Sequence, residues 1–146
     1  MATSIDVAAA FVDLSSEKLS HLALQKYVYL AHMLYAGENN NACLVDDGPF
    51  QAWDYGPVSP KLYQKLRGFG SAPIPRVMLH GAKELQPAQL RAVQEVWNAL
   101  SNATAARLVE ITHDPRGAWA QVYQPGVRGL QIGQQEILDE FKRRSA

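Results

Sequence analysis

A helix with a broad apolar face has to be covered on most sides, and the segment from Ser20 to Ala36 is of that kind. Leu24, Val28, Ala31 and Tyr35 recur at helical spacing on one face, and Leu30 and Leu34 widen the stripe. The pattern predicts a helix that begins after Ser20, ends near Ala36 and lies at the centre of a domain. Gly37 supplies a stop signal, and Asn39, Asn40 and Asn41 form a polar loop. The most apolar part, Tyr27 to Ala36, is interrupted by His32 and is about half the roughly 20 residues that cross a bilayer. No membrane span is expected.

The rest of the chain reads as shorter elements that cover this helix. Ser4 can cap a first helix with Ile5, Ala8, Ala9 and Val12 at helical spacing. After the polar loop the period changes: Cys43 to Val45 and Phe50 to Trp53 flank Asp46, Asp47, Gly48 and Pro49, which predicts a small hairpin. Ser59 followed by Pro60 starts a helix to about Arg67, closed by Gly68 and Gly70. Residues 69–86 read as a connection, Pro87 opens a helix carrying Leu90, Val93, Val96, Trp97 and Leu100, and Thr104 caps a short one carrying Leu108 and Ile111. Residues 116–132 should be irregular, and a last helix from about Gln134 buries Ile137, Leu138 and Phe141. The expected fold is mainly α, a compact single domain over residues 1–146, with about six helices and a small β-hairpin between the second and third. With 146 residues, 47% of them apolar and 19% charged, there is material for one core.

The 14 basic and 14 acidic side chains cancel, which argues against nucleic-acid binding through bulk positive charge. Residues 1–59 nevertheless hold two basic and seven acidic groups, and the remainder 12 basic and seven acidic. The simplest reading is attraction between faces inside one domain; a dipolar surface that steers a charged partner is the alternative. An exposed acidic hairpin with Asp46, Asp47 and Asp54 would meet a basic partner surface, with association weakening as salt rises. The lone Cys43 forms no internal disulfide, and Asp6 stands where a secretory signal carries positive charge, so a cytoplasmic location is expected.

Catalytic signatures are missing: there is no Gly-x-Ser-x-Gly elbow, P-loop, His-Glu-x-x-His or paired Cys-x-x-Cys. The four histidines occupy four segments, so neither a metal nor a cofactor is expected, and no catalytic residue is assigned. Cys43 reads as a small apolar strand residue rather than a nucleophile. His113 and Asp114 read as the close of a helix, with acid–base work as the alternative. The aromatic phrases Trp53/Tyr55 and Trp119/Tyr123 are core residues or interface anchors.

Leu24-Gln25-Lys26-Tyr27-Val28-Tyr29-Leu30-Ala31, then Ala52-Trp53-Asp54-Tyr55-Gly56-Pro57-Val58-Ser59-Pro60 with Tyr63, then Leu108 to Thr112-His113 and Trp119, resemble the Panacea domain family of SocA-like antitoxins. The likeness runs from about Ile5 to Phe141; Ala118 replaces the usual proline before the tryptophan, and the Asn39 to Asn41 loop is expanded. It implies a mostly helical domain with a small β element. It also implies an antitoxin of a toxin–antitoxin system that neutralises a cognate protein toxin by direct binding, without enzymatic activity. The founding member acts as a proteolytic adaptor delivering its toxin to the ClpXP protease, so a ClpXP-type protease is a further implied partner, and some relatives are prophage-associated. Gln25, Lys26, Trp53, Gly56 and Pro57 stand as its structural motif, and Asp54, Tyr55, Tyr63, His113 and Trp119 as candidate partner-binding residues. Trp53 and Tyr55, alternating along a strand, should not share a face with Asp54. The competing reading is a small hydrolase or transferase using His113 and a carboxylate such as Asp54 as acid and base. A transcriptional regulator has no helix-turn-helix signal to support it.

Overall fold

The computed structural model describes residues 2–145, and among these the chain forms seven α-helices, a 3-10 turn and one antiparallel hairpin. The helices are α1 (Ser4–Leu14), α2 (His21–Glu38), α3 (Pro60–Leu66), α4 (Pro87–Leu100), α5 (Ala105–Thr112), α6 (Ala118–Val122) and α7 (Gln134–Ser145). The 3-10 turn is Arg76–Leu79, and strands β1 (Gln51–Trp53) and β2 (Gly56–Val58) lie between α2 and α3. As its stripe predicts, α2 is central, packing against α1, α3, α4, α5, α7 and β2. Ser20 caps it through a hydrogen bond from the Ala23 amide, and Leu24, Tyr27, Val28, Tyr29 and Ala31 have no accessible surface. Burying such side chains contributes roughly 1.5–3 kcal/mol each, which makes this helix the main source of core stability.

The buried polar tips of Tyr27, Tyr29, His32 and Glu140 are hydrogen-bonded, as a close-packed interior demands, whereas His113 Nε2 is buried without a partner among the described residues. The Tyr27 hydroxyl donates to the Leu100 carbonyl at 2.6 Å, and the Tyr27 ring sits between Phe11 and Trp97. Glu140, almost fully buried on α7, accepts from the Tyr29 hydroxyl and the Ala118 amide through Oε1 and from the Arg144 guanidinium through Oε2. One carboxylate thus ties α2, α6 and α7 together. His32 is similarly fixed: Nδ1 accepts from the Val45 amide, so Nε2 carries the proton and donates to Gln134 Oε1 at 2.8 Å.

Four local expectations are corrected. Thr3, not Ser4, caps α1, in a reciprocal pair with Asp6, while Ser4 donates its amide and hydroxyl to the Asp47 carboxylate. The hairpin is β1–β2, with its turn at Asp54 and Tyr55; Cys43 to Val45 is not one of its strands, because the Val45 amide goes to His32 and Val45 makes a lone parallel bridge with Ala2. Cys43 is a half-buried loop residue. Residues 116–132 contain α6, which tertiary contacts hold despite its five-residue length. Finally, Gly37 does not end α2: the helix runs to Glu38, and Asn40 and Asn41, with φ of +55° and +62°, turn the chain away.

Gly37 is needed for a different reason, since a Cβ there would overlap the Phe141 ring of α7. Gly→Ala inside a helix ordinarily gains up to about 1 kcal/mol. Here Gly37→Ala should instead destabilise the fold by about 1–3 kcal/mol, as overpacking does, and adding Phe141→Ala should recover part of that loss. Urea unfolding of the two variants measures this, and a stabilised Gly37→Ala protein would contradict the packing.

A candidate partner-binding face at the hairpin

Two neighbouring residues of α2 place the hairpin. The Gln25 side chain pairs with the backbone of Ser59 as a strand would, accepting from its amide at 2.8 Å and donating to its carbonyl at 3.2 Å. Its other donor goes to His21 Nε2, so His21 is the Nδ1–H tautomer. Lys26, fully buried, donates from Nζ to the Pro57 carbonyl at 2.9 Å and has no ion-pair partner among the described residues. Burial without a counter-charge pushes its pKa down to about 7, and burial with the nearby Lys26 charge pushes His21 down to about 4.

Gly56 is required where the hairpin passes between α2 and α5. Its φ is +113°, and a Cβ would lie 3.0 Å from Thr112 Oγ1 and 3.1 Å from Lys26 Cε. The turn residues Asp54 and Tyr55 have no positive φ, so the left-handed position falls on Gly56, as in a turn closed by a glycine bulge. Pro57 follows, and Ser59 then caps α3 through the Leu62 amide. The five residues grouped as a structural motif are thus brought together: Gln25 and Lys26 grip the backbone that Gly56 and Pro57 shape, and Trp53 lies opposite Gly56 across the hairpin.

The five candidate binding residues all gather at this hairpin, on two flanks. On one flank the Trp53 ring meets Tyr63 edge-on at 4.6 Å, Tyr63 meets His21 at 5.5 Å, and the Arg128 guanidinium lies over Trp53 at 4.3 Å. On the other, Trp119 donates its indole N–H to the Trp53 carbonyl at 2.7 Å and is sandwiched by His113 and Tyr123, at 3.9 and 4.4 Å. The Tyr123 hydroxyl donates to Asp54 at 2.6 Å, and that bond raises its own pKa. Tyr55 projects at the tip, 68% exposed. Asp54 and Tyr55 are turn residues, so the expected strand alternation does not govern them.

The expected alternative of an acid–base pair is not assembled. His113 makes no hydrogen bond with a carboxylate among the described residues; its link to Asp54 runs through the stacked rings of Trp119 and Tyr123. Burial first and the Lys26 charge second hold its pKa down. The neighbouring Asp114 is held below the usual carboxylate range, chiefly by the Arg116 amide, and also pairs with Arg143. No group of ligands able to hold a metal occurs among the described residues.

Between α3 and the hairpin lies a hollow of about 300 Å³, lined by Leu22, Val58, Trp53, Tyr63, Arg67 and Arg128 among others. Sequence reasoning missed Arg67 and Arg128. Arg128 is brought here by long-range pairing of the following segment with β1, Ala52 amide to Leu130 carbonyl and Ile132 amide to Phe50 carbonyl, which no local pattern announces.

Residues 24–120, from the start of the Gln25–Lys26 grip to just past Trp119, match the family described as Antitoxin SocA-like, Panacea domain. The chain belongs to the Panacea family. Antitoxin SocA of Caulobacter vibrioides (strain NA1000 / CB15N) is 28% identical over 138 residues, covering 85% of this chain and 72% of that protein. No solved structure matches the chain. The Panacea match takes in the whole hairpin and both of its α2 anchors, while Arg128 lies beyond it. Among the described residues no helix is long and apolar enough to cross a membrane.

The buried lysine of this Panacea domain has a pH signature. Native Lys26 loses its proton near pH 7, whereas an unfolded lysine does so near its ordinary value of about 10.4. Between these values the unfolded state binds more protons, so stability rises with pH; below pH 7 the cost of burying the charge is present in full. The stability of wild type relative to Lys26→Met should therefore grow by about 1.4 kcal/mol per pH unit between roughly pH 7.5 and 9.5. Urea unfolding of both proteins across that range measures it, and a difference that does not change with pH would contradict the assignment.

Proposed function

We propose that this chain is the antitoxin of a toxin–antitoxin system and neutralises a cognate protein toxin by binding it directly with the hairpin face. The observation that carries this is Tyr55: among the described residues it is the one large aromatic side chain left exposed, and it stands at the tip of a hairpin whose backbone is pinned from below. Tyr, Trp and Arg are the side chains that anchor protein interfaces, and Trp53, Tyr63 and Arg128 border the same hollow. Membership of the Panacea family and the likeness to Antitoxin SocA support the same reading.

In this reading Asp54, Tyr55 and Tyr63 supply contact surface, and His113 with Trp119 fix the tip from the far flank. The binding step serves two fates of the toxin, sequestration or delivery to a ClpXP-type protease, and the toxin's half-life with and without the protease separates them. Co-expression of the neighbouring gene product tests the reading. Tyr55→Ala should leave the thermal midpoint unchanged and weaken the complex by about 2 kcal/mol, roughly 30-fold, so that growth rescue fails at low antitoxin levels. If a folded variant carrying both Tyr55→Ala and Tyr63→Ala rescues growth like wild type, the hairpin is not the binding face.

A further inference from the structure

We infer that the hollow between α3 and the hairpin takes an acidic segment of the partner protein, with one apolar side chain inserted as its anchor. The partner's identity as a toxin rests on the antitoxin reading; the chemistry of the hollow does not. Its walls, Leu22, Val58, Trp53 and Tyr63, are apolar, and about 300 Å³ holds one large side chain. Its rim is cationic. Arg67 and Arg128 are both exposed, and neither pairs with a carboxylate among the described residues, whereas Arg76, Arg143 and Arg144 each do.

Arg128 is already positioned. Its guanidinium carbon lies over the Trp53 ring, 4.3 Å from the centroid, a cation–π contact that holds the side chain in place while the exposed, unpaired guanidinium keeps the donors with which an arginine takes a carboxylate. The one acidic residue lining the hollow, Asp54, is engaged by the Tyr123 hydroxyl. His21, with its pKa pushed down to about 4, is neutral and adds no charge. The charge sense is therefore opposite to that suggested by the acidic run of Asp46, Asp47 and Asp54, in which Asp47 is already committed to Ser4. Aromatic rings with arginines also suit single-stranded nucleic acid, but there successive bases need open ring faces. Here Arg128 covers one face of Trp53, and Trp53 and Tyr63 meet at 67° rather than as parallel platforms, so the peptide is favoured.

The test titrates the full chain with the capped peptide Ac-Glu-Asp-Phe-Asp-Glu-NH2, its counterpart with lysine at every acidic position, and an oligothymidylate of about ten nucleotides. Binding is followed by the NMR signals of the Trp53 indole and the Arg128 Nε–H. The acidic peptide should shift both signals saturably. Its affinity should fall about tenfold or more in the double variant Arg67→Gln, Arg128→Gln, and should fall as salt rises from roughly 50 to 300 mM. Arg128→Lys, which keeps the charge and loses the fork, should bind at an intermediate strength.

Tighter binding of the basic peptide or the oligonucleotide, shifts that survive the double variant, or no shift at about 1 mM acidic peptide would each overturn the proposal. The antitoxin reading fails on separate grounds. Acidic-peptide binding at the hollow together with unimpaired growth rescue by Tyr55→Ala, Tyr63→Ala keeps the hollow's chemistry and removes the antitoxin face. Lost rescue with no peptide binding does the reverse.

Discussion

The grip of Gln25 and Lys26 on the backbone of Pro57 and Ser59 is the interaction on which the rest of the surface depends. A two-stranded hairpin is marginal by itself in water. This one is held because a buried amide supplies the two hydrogen bonds of a missing third strand, and because a lysine spends its burial on a single carbonyl. Removing a charge from water without a counter-ion costs several kcal/mol, which only a well-packed helix can sustain. The apolar stripe of α2 and the polar pair at Gln25–Lys26 are therefore one device: the first supplies stability, and the second uses it to fix a turn. Everything proposed for the outer surface, from Tyr55 at the tip to Arg128 on the flank, presumes that this turn does not move.

Charge is used locally rather than between the two oppositely charged parts of the chain. Of the ion pairs among the described residues, only Arg76–Asp13 joins the acidic N-terminal part to the basic remainder. Three of the other six early acids accept hydrogen bonds from backbone: Asp6 takes the Thr3 and Lys83 amides, Asp47 the Ser4 amide, and Glu17 the Arg76 amide. Attraction between faces is thus a small part of what assembles the domain. The consequence for function is that Arg67 and Arg128 stay unpaired beside the hollow.

Much of the architecture was legible because it is written in local chemistry. The stripe of α2, Ser59–Pro60 before α3, Pro87 before α4 and Thr104 before α5 each carry their own physical reason, and each element starts where that reason puts it. The failures share a different cause. The Asp46 to Pro49 cluster has turn composition, but the Val45 amide goes to His32 and the Leu44 carbonyl accepts from the Ala2 amide, so Cys43 to Val45 is not one of the hairpin's strands. Gly37 looks like a helix terminator and is instead a contact point for Phe141, more than a hundred residues away. At the site, Trp53, Tyr55, Tyr63, His113 and Trp119 stood out as residue types. Their division into two flanks follows from α3 bringing Tyr63 to the Trp53 ring and α6 bringing Trp119 to the Trp53 carbonyl, and the arrival of Arg128 from the pairing of Leu130 and Ile132 with the β1 segment, contacts no spacing encodes.

Amide hydrogen exchange of this chain, alone and in complex with the partner that co-purifies with it, tests the central claim most directly. If the pinned hairpin is the binding face, binding should slow exchange across residues 53–67 and around Arg128, where Tyr55 and the hollow lie, while the already protected interior of α2 changes little. Protection confined to α4 and α5, with residues 53–67 exchanging as they do in the free protein, would contradict it.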